Sequence, residues 1–132
     1  MIVLVDTPIW SLAFRRKTAS APQVKQLADL INRSEAVIIG PIRQEVLSGI
    51  RAPGEFSRVR RGLRAFSDVR LGEEHYELAA EFFNLGRSHG IQGSNTDFLI
   101  CAVADLHDMA IFTTDRDFQH FAKHLPVRLY SA

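Results

Sequence analysis

Acidic residues stand at the junctions of apolar runs in this chain, where several carboxylates could do metal chemistry together. Asp6 closes the run MIVLVD, and Asp115 closes MAIFTTD. Glu45 follows AVIIGP, and Asp97 opens the run DFLICAVAD. In an open α/β sheet, the carboxyl ends of the strands and the amino ends of the following helices meet at one edge, where ligands bind. Carboxylates gathered there repel one another unless a cation holds them, so the pattern predicts a metal site.

The ligand chemistry narrows the choice of metal. The four side chains offer only oxygen atoms, which favour Mg²⁺ or Mn²⁺ over zinc or copper. Mg²⁺ commonly keeps several of its waters, and one of them can attack a phosphodiester bond. We therefore expect a divalent-cation site that supports hydrolysis.

Asp6 and Asp115 also have a structural explanation. Asp6 could form an Asx turn or cap the helix that begins near Pro8, and Asp115 could cap a helix predicted at 116–123. Asp117 could be a fifth ligand or a favourable charge in the first turn of that helix, and we prefer the supporting role.

Glu45 has an unusual predicted position. The other residues of its helical stripe are apolar or small: Ile42, Val46 and Gly49. We therefore expect the carboxylate to face the protein, where an acid is costly unless it is paired or bound to a metal. The alternative to a metal is a buried ion pair with an arginine such as Arg43 or Arg87.

Asp97 fits a capping box, because Ser94 stands three residues before it. The helix that follows is apolar on most sides, which predicts a central position in the fold and carries Asp97 inward to the sheet edge. A capping role and a metal-ligand role are compatible for this residue.

Strand-like and helix-like runs alternate along the chain. Strands are predicted at 2–5, 36–39, 69–71, 110–113 and 127–130, and helices at 8–16, 22–31, 41–50, 55–66, 73–89, 95–106 and 116–123. The long helix at 73–89 carries an apolar stripe of Leu78, Phe82, Leu85 and His89. This alternation predicts an α/β fold with a mostly parallel sheet and helices on both faces, and 132 residues suit a single domain, 1–132.

The composition excludes several classes of protein. The chain is 46% hydrophobic and 23% charged, as in ordinary globular proteins, and its apolar runs are far shorter than a membrane span. Cys101 is the only cysteine, so no intramolecular disulfide can form, and MIVLVD is typical of a first strand rather than of a signal peptide. We expect a cytoplasmic protein with no membrane partner.

Two basic clusters accompany the acids, although the net charge is only +1. They consist of Arg15, Arg16 and Lys17, and of Arg58, Arg60, Arg61 and Arg64. Such clusters suit a polyanion brought to a metal, or they are solvated helix faces. His120 and His124 are spaced one helical turn apart, but without a third ligand they are interpreted as a surface pair.

Four segments resemble, in order and spacing, the motifs of the PIN-domain ribonucleases: MIVLVDTPIW, IGPIRQEVLSGIR, NTDFLICAVA and IFTTDRDF. Within that family the chain looks most like the VapC toxins of bacterial toxin–antitoxin operons. The resemblance spans nearly the whole chain, and the RQEVLSG segment is especially characteristic.

The resemblance implies a catalytic pocket formed by Asp6, Glu45, Asp97 and Asp115. In this interpretation Asp6, Asp97 and Asp115 hold one or two Mg²⁺ or Mn²⁺ ions. Glu45 acts through water, either as an outer ligand or by orienting the attacking water.

Further positions match the family pattern. Thr7 and Thr113 match the small hydroxyl residues beside the first and fourth acids, and Asp117 matches a commonly acidic position that can join the pocket. The resemblance also implies a PIN-like three-layer sandwich, homodimerisation, cleavage of structured RNA such as tRNA or rRNA, and an antitoxin whose C-terminal segment occupies the groove.

Two residues depart from the family pattern. Pro8 stands where a small residue is more common, and Phe98 follows Asp97 where a smaller side chain is usual, so that Phe98 could narrow the pocket. The alternative function is therefore a PIN-like RNA-binding module with weak or absent catalysis.

Overall fold

The computed structural model describes residues 1–131, which form a parallel sheet packed between helices. The sheet has four strands in the order β2-β1-β3-β4, and all three pairings are parallel. The strands are β1 (Val3–Val5), β2 (Ala36–Val37), β3 (Ala110–Phe112) and β4 (Arg128–Leu129).

Seven α-helices occur in the described part of the chain. They are α1 (Thr7–Phe14), α2 (Pro22–Asn32), α3 (Gly40–Leu47), α4 (Pro53–Leu63), α5 (Glu73–Ser88), α6 (Asn95–Leu106) and α7 (Asp117–His124). A short 3₁₀ helix (Arg16–Thr18) follows α1. Among residues 1–131, no helix combines the length and the apolar character that a membrane crossing requires.

The central strands show why the fold is a three-layer sandwich. Every residue of β1 and β3 is buried, although successive side chains of a strand point to opposite faces of the sheet. Helices must therefore cover both faces, as the uninterrupted apolar runs predicted. The two strands are in register, with Val5 opposite Phe112, so the residues that follow them reach the same edge.

One predicted strand is wrong. The segment 69–71 forms no strand: a single parallel bridge joins Ile38 to the preceding Asp68, and the Val69 N–H donates to the Ile38 carbonyl at 2.9 Å. Arg43 holds this segment instead, because its guanidinium donates to Asp68 Oδ1 at 2.8 Å and to the Phe66 carbonyl at 2.7 Å. This stretch is thus fixed by the Arg43 side chain and one backbone hydrogen bond rather than by a continuous ladder.

The buried stripe of α5 also differs from the prediction. Its buried residues are His75, Ala79, Phe82 and Gly86, while Leu85 and His89 are exposed. The reason is the close approach of α6, because a Cβ on Gly86 would lie 3.0 Å from the Phe98 ring. In α6 itself every residue from 98 to 104 is buried, which confirms the predicted central position of this helix.

Candidate active site

Asp6 lies at the carboxyl end of β1 and is only 5% exposed. Its Oδ1 accepts the Thr7 backbone N–H at 2.8 Å, so the carboxylate caps α1. Its Oδ2 accepts the Thr113 hydroxyl at 2.8 Å. Both carboxylate oxygens are therefore fixed in direction by neighbours that come from different elements.

This environment penalises the charge on Asp6. The pKa of Asp6 is raised from 3.8 to about 6, chiefly by burial and in smaller measure by the nearby carboxylates of Asp97 and Glu45. The hydrogen bonds from Thr113 and Thr7 oppose the rise. A buried acid whose ionisation is disfavoured is a group that a cation would stabilise.

The sequence predicts that the Glu45 side chain faces the protein, and the structure shows that this prediction is wrong. In α3 the neighbours Ile42 and Val46 are buried, but Glu45 is exposed. Its position at the margin of the stripe lets the carboxylate lie at the surface beside α1, where Oε1 accepts the Thr7 hydroxyl at 2.7 Å. The alternative ion pair with Arg43 does not form, because that guanidinium pairs with Asp68.

Thr113 and Asp115 follow β3 at the same edge. The Asp115 backbone N–H donates to the Thr113 hydroxyl at 3.0 Å, and Asp115 Oδ1 accepts the Asp117 backbone N–H at 3.0 Å. Asp115 thus supports the start of α7, as its alternative role predicted, while it remains half-buried beside the other acids. The side chain of Asp117 is exposed and lines a neighbouring cavity.

Asp97 forms the predicted capping box with Ser94. The Asp97 backbone N–H donates to Ser94 Oγ at 3.1 Å, and the Ser94 backbone N–H donates to Asp97 Oδ2 at 3.0 Å. Burial raises the pKa of Asp97, with smaller contributions from the charges of Asp115 and Glu45. Beneath the acids, burial also raises the pKa of the Cys101 thiol, and the charges of Asp97 and Asp6 add to that effect.

The predicted acids are therefore brought into one electrostatically coupled cluster. Glu45, Thr7, Asp6, Thr113 and Asp115 form a chain of hydrogen bonds, and Asp97 faces it from α6. Among residues 1–131, no three His, Cys, Asp or Glu side chains stand at the separations that would hold a metal ion. The cluster is more open than a closed cage, which suits a cation that keeps several waters and takes oxygen ligands.

A cavity of about 390 Å³ opens beside Glu45, between α1, α3 and α4. Its lining includes Phe14, Arg15, Val46, Ile50 and Val59. The two basic clusters meet at the margin of this cavity. Arg58 donates to the Phe14 carbonyl at 2.6 Å and also pairs with Glu55. The hydrogen bond from Arg58 lowers the pKa of Glu55, and the nearby charge of Arg16 adds to this effect in smaller measure.

Phe98 does not narrow the cluster in the way that its position beside Asp97 suggested. Its side chain is 1% exposed and packs in the core against Phe83 and Phe121, with ring centroids 5.5 Å and 5.1 Å away. Pro8 lies in the first turn of α1, where a missing N–H costs no helical hydrogen bond.

Several solved structures share this fold. FitAcB from Neisseria gonorrhoeae matches with a TM-score of 0.81 and 18% identity, over 98% of this chain and 97% of that chain. VapBC2 from Rickettsia felis, bound to a DNA fragment from their promoter, matches with a TM-score of 0.78 and 17% identity over 98% of both chains. VapBC-1 from nontypeable Haemophilus influenzae matches with a TM-score of 0.75 and 16% identity, over 99% of this chain and 98% of that chain.

Sequence comparison gives a complementary result. No curated protein is significantly similar to this chain along its sequence. The family model of the PIN domain, however, matches residues 3–124, which include all four acids and both threonines of the cluster. The chain therefore belongs to the PIN-domain family.

Proposed function

We propose that this protein is a Mg²⁺- or Mn²⁺-dependent endoribonuclease and the toxin of a toxin–antitoxin pair. The observation that carries the proposal is the buried carboxylate of Asp6, which is linked through Thr7 to Glu45 and through Thr113 to Asp115. PIN domains are generally nucleases, and the acids of this chain occupy the sheet edge where such chemistry takes place in α/β folds.

The oxygen-only donor set suits a hard divalent cation. Asp6, Asp97 and Asp115 would hold it directly, drawn together by the cation from their metal-free separations, and Glu45 would do so through water. Asp117 would join them from the start of α7. A bound cation supplies positive charge that offsets the charge developing on the phosphate, and it acidifies a water molecule. Burial, with a smaller contribution from the charges of the neighbouring acids, raises the pKa of Asp6 and Asp97, and this supports the assignment because a cation would stabilise their ionised forms.

The protein's own groups would orient the reaction. The Thr7 hydroxyl fixes the Glu45 carboxylate at 2.7 Å, so that its free oxygen can accept a hydrogen bond from the attacking water. The Thr113 hydroxyl and the Thr7 N–H each bond one oxygen of Asp6 and so restrict the rotation of that carboxylate. Because Glu45 is exposed, the reacting phosphate would lie at the mouth of the site, where a structured RNA could reach it.

Basic side chains near the mouth would bind the RNA backbone. Those at the end of α1 and on the outer face of α4 are exposed: Arg15, Arg16, Lys17, Arg60, Arg61 and Arg64. Arg58 has a different role, because it ties α4 to the end of α1. Phosphate contacts of this kind predict binding that weakens steeply with salt.

The cavity beside Glu45 would receive the antitoxin. A lining that combines apolar side chains with the carboxylates of Glu45 and Glu55 suits a peptide that carries both apolar side chains and a cation. The similar structure from Klebsiella pneumoniae is described as a toxin–antitoxin complex, with a TM-score of 0.63 and 21% identity over 88% of this chain and 89% of that chain. We also propose that the protein forms a homodimer, which light scattering would measure.

Growth after expression tests this function in cells. The wild-type chain should arrest growth, and sequencing of new RNA 5′ ends should identify a few cleavage sites in tRNA or rRNA. Asp97→Asn should be tolerated. Equal growth with both proteins would exclude the toxin function. Binding of RNA without any new 5′ ends would favour the alternative, a PIN-like RNA-binding module without catalysis.

A further inference from the structure

A histidine-lined cavity lies beside the acidic cluster. His120 and His124 are one turn apart in α7, and the fold adds His89 from the C-terminal end of α5. The rings of His89 and His124 stack, with centroids 4.6 Å apart and planes 21° from parallel. The cavity that these residues line has a volume of about 580 Å³, which is within the range of ligand sites.

The cavity is lined by two residues that contact the acidic cluster or its immediate neighbours. Asp117 lines the cavity, and its backbone N–H donates to Asp115 Oδ1 at 3.0 Å. Phe121 lines it from the other side and packs on Phe98, the residue next to Asp97. The cavity therefore adjoins the elements that carry Asp97 and Asp115, and an RNA bound at the acids would extend toward it.

The lining residues favour a base over a phosphate. Within residues 1–131, the side chains around the cavity include no lysine or arginine, and Asp117 is an acid that would repel phosphate. Imidazole faces stack on nucleobases, and the Gln92 amide offers both a donor and acceptors to a base edge.

We propose that this cavity binds an unpaired nucleobase of the RNA substrate, adjacent to the phosphate that is cleaved. His89 and His124 form the stacking surface, and Gln92 reads the base edge. The inference rests on the proposed function and adds to it a determinant of sequence preference. It also accounts for the presence of histidines, rather than arginines, among the residues that line this cavity.

Binding measurements on a protein that does not cleave test the proposal. In an Asp97→Asn background, fluorescence anisotropy with labelled oligo(A), oligo(C), oligo(G) and oligo(U) gives the dissociation constants. His89→Ala with His124→Ala should weaken binding of the preferred homopolymer roughly 5- to 100-fold, the effect of losing one stacked base, and should reduce the differences among the four. His124→Phe should retain most of the affinity, because phenylalanine also stacks. Gln119→Ala, at an exposed position of α7, is the matched control.

The salt dependence separates a base contact from a phosphate contact. Loss of stacking leaves the slope of log Kd against log salt unchanged, whereas loss of a phosphate contact lowers it by about one unit. Affinities within twofold of the Gln119→Ala control, or a lowered salt slope, would overturn the nucleobase site while the proposed function stands. If the Asp97→Asn parent binds none of the RNAs, the proposed function fails, and this inference fails with it.

Discussion

The hydroxyl of Thr113 donates a 2.8 Å hydrogen bond to Asp6 Oδ2 and thereby joins the ends of two adjacent parallel strands that lie 107 residues apart in sequence. The same hydroxyl accepts the backbone N–H of Asp115 at 3.0 Å. A single side chain therefore sets the relative positions of two of the four acids. The register of β1 and β3, with Val5 opposite Phe112, is what brings these residues together.

Thr113→Val should expose the importance of this link, because valine has the same shape without the hydroxyl. The change removes a hydrogen bond to a carboxylate and leaves the Asp115 N–H without its acceptor, so we expect a loss of about 1–3 kcal/mol in the free energy of unfolding. The pKa of Asp6 should rise further, since the Thr113 hydrogen bond now lowers it. Urea denaturation measures the stability, and Thr113→Ser should remain close to wild type. A Thr113→Val protein as stable and as active as wild type would show that the link is incidental.

Asp6→Asn should stabilise the metal-free protein at neutral pH. The rise of the Asp6 pKa from 3.8 to about 6 corresponds to a penalty of about 3 kcal/mol on the ionised form, part of which the variant regains. Since the folded-state pKa is raised, the contribution of Asp6 to stability is complete below pH 3.8 and is lost as the pH rises through 6.

The difference in unfolding free energy between Asp6→Asn and wild type should therefore be near zero at pH 4 and about 1–3 kcal/mol at pH 8. Chemical denaturation in EDTA at both pH values measures it. A variant that is less stable than wild type at pH 8 would mean that the hydrogen bonds of the Asp6 carboxylate outweigh its burial.

Divalent cations should raise the melting temperature of the wild-type protein. At ten times the dissociation constant, Mn²⁺ adds about 1.4 kcal/mol to stability, or roughly 3–6 °C for a chain of this size. Asp6→Asn should show a much smaller rise, because one charged ligand is missing. Differential scanning fluorimetry with Mn²⁺, Mg²⁺ and EDTA provides the measurement. A melting temperature that does not change with millimolar Mn²⁺ in either protein would contradict a metal site at these acids.

His107→Ala should destabilise the packing of α5 on α6. His75 is 4% exposed, and its Nδ1 accepts the Gly72 N–H at 2.9 Å, so Nε2 carries the proton and donates to His107 Nε2 at 2.8 Å. The variant leaves that buried donor without its acceptor, which costs about 1–3 kcal/mol. Thermal unfolding measures the effect, and Asp105→Ala, at an exposed position of α6, should change little. Equal stability of the two variants would mean that water replaces His107 at no cost.

The features that the sequence predicts best are those that depend on local patterns of residues. The uninterrupted apolar runs predicted β1 and β3, and the pair Ser94 and Asp97 predicted the start of α6 together with its capping box. The order of strands and helices then placed all four acids at one edge, because parallel connections return each strand in the same direction.

The features that the sequence missed depend on tertiary packing. Glu45 was expected to be buried, but a residue at the margin of a helical stripe can lie at the surface when the next element leaves room. In α5 the stripe shifted because α6 approaches closest where the side chains are small, at Ala79 and Gly86. The stacking of His89 on His124 joins residues that no spacing rule connects.

Single-turnover cleavage of total RNA by Asp97→Asn tests the central claim most directly. The introduced asparagine would still accept the Ser94 N–H and would keep the size of the side chain, so the capping box and the fold should survive while one anionic ligand is lost. Cleavage in Mg²⁺ or Mn²⁺ should fall on the order of 10²-fold or more. The exposed Asp105→Asn in the same helix should cleave at the wild-type rate, and EDTA should abolish cleavage by every variant. Equal rates for Asp97→Asn and wild type, or cleavage that persists in EDTA, would contradict the account.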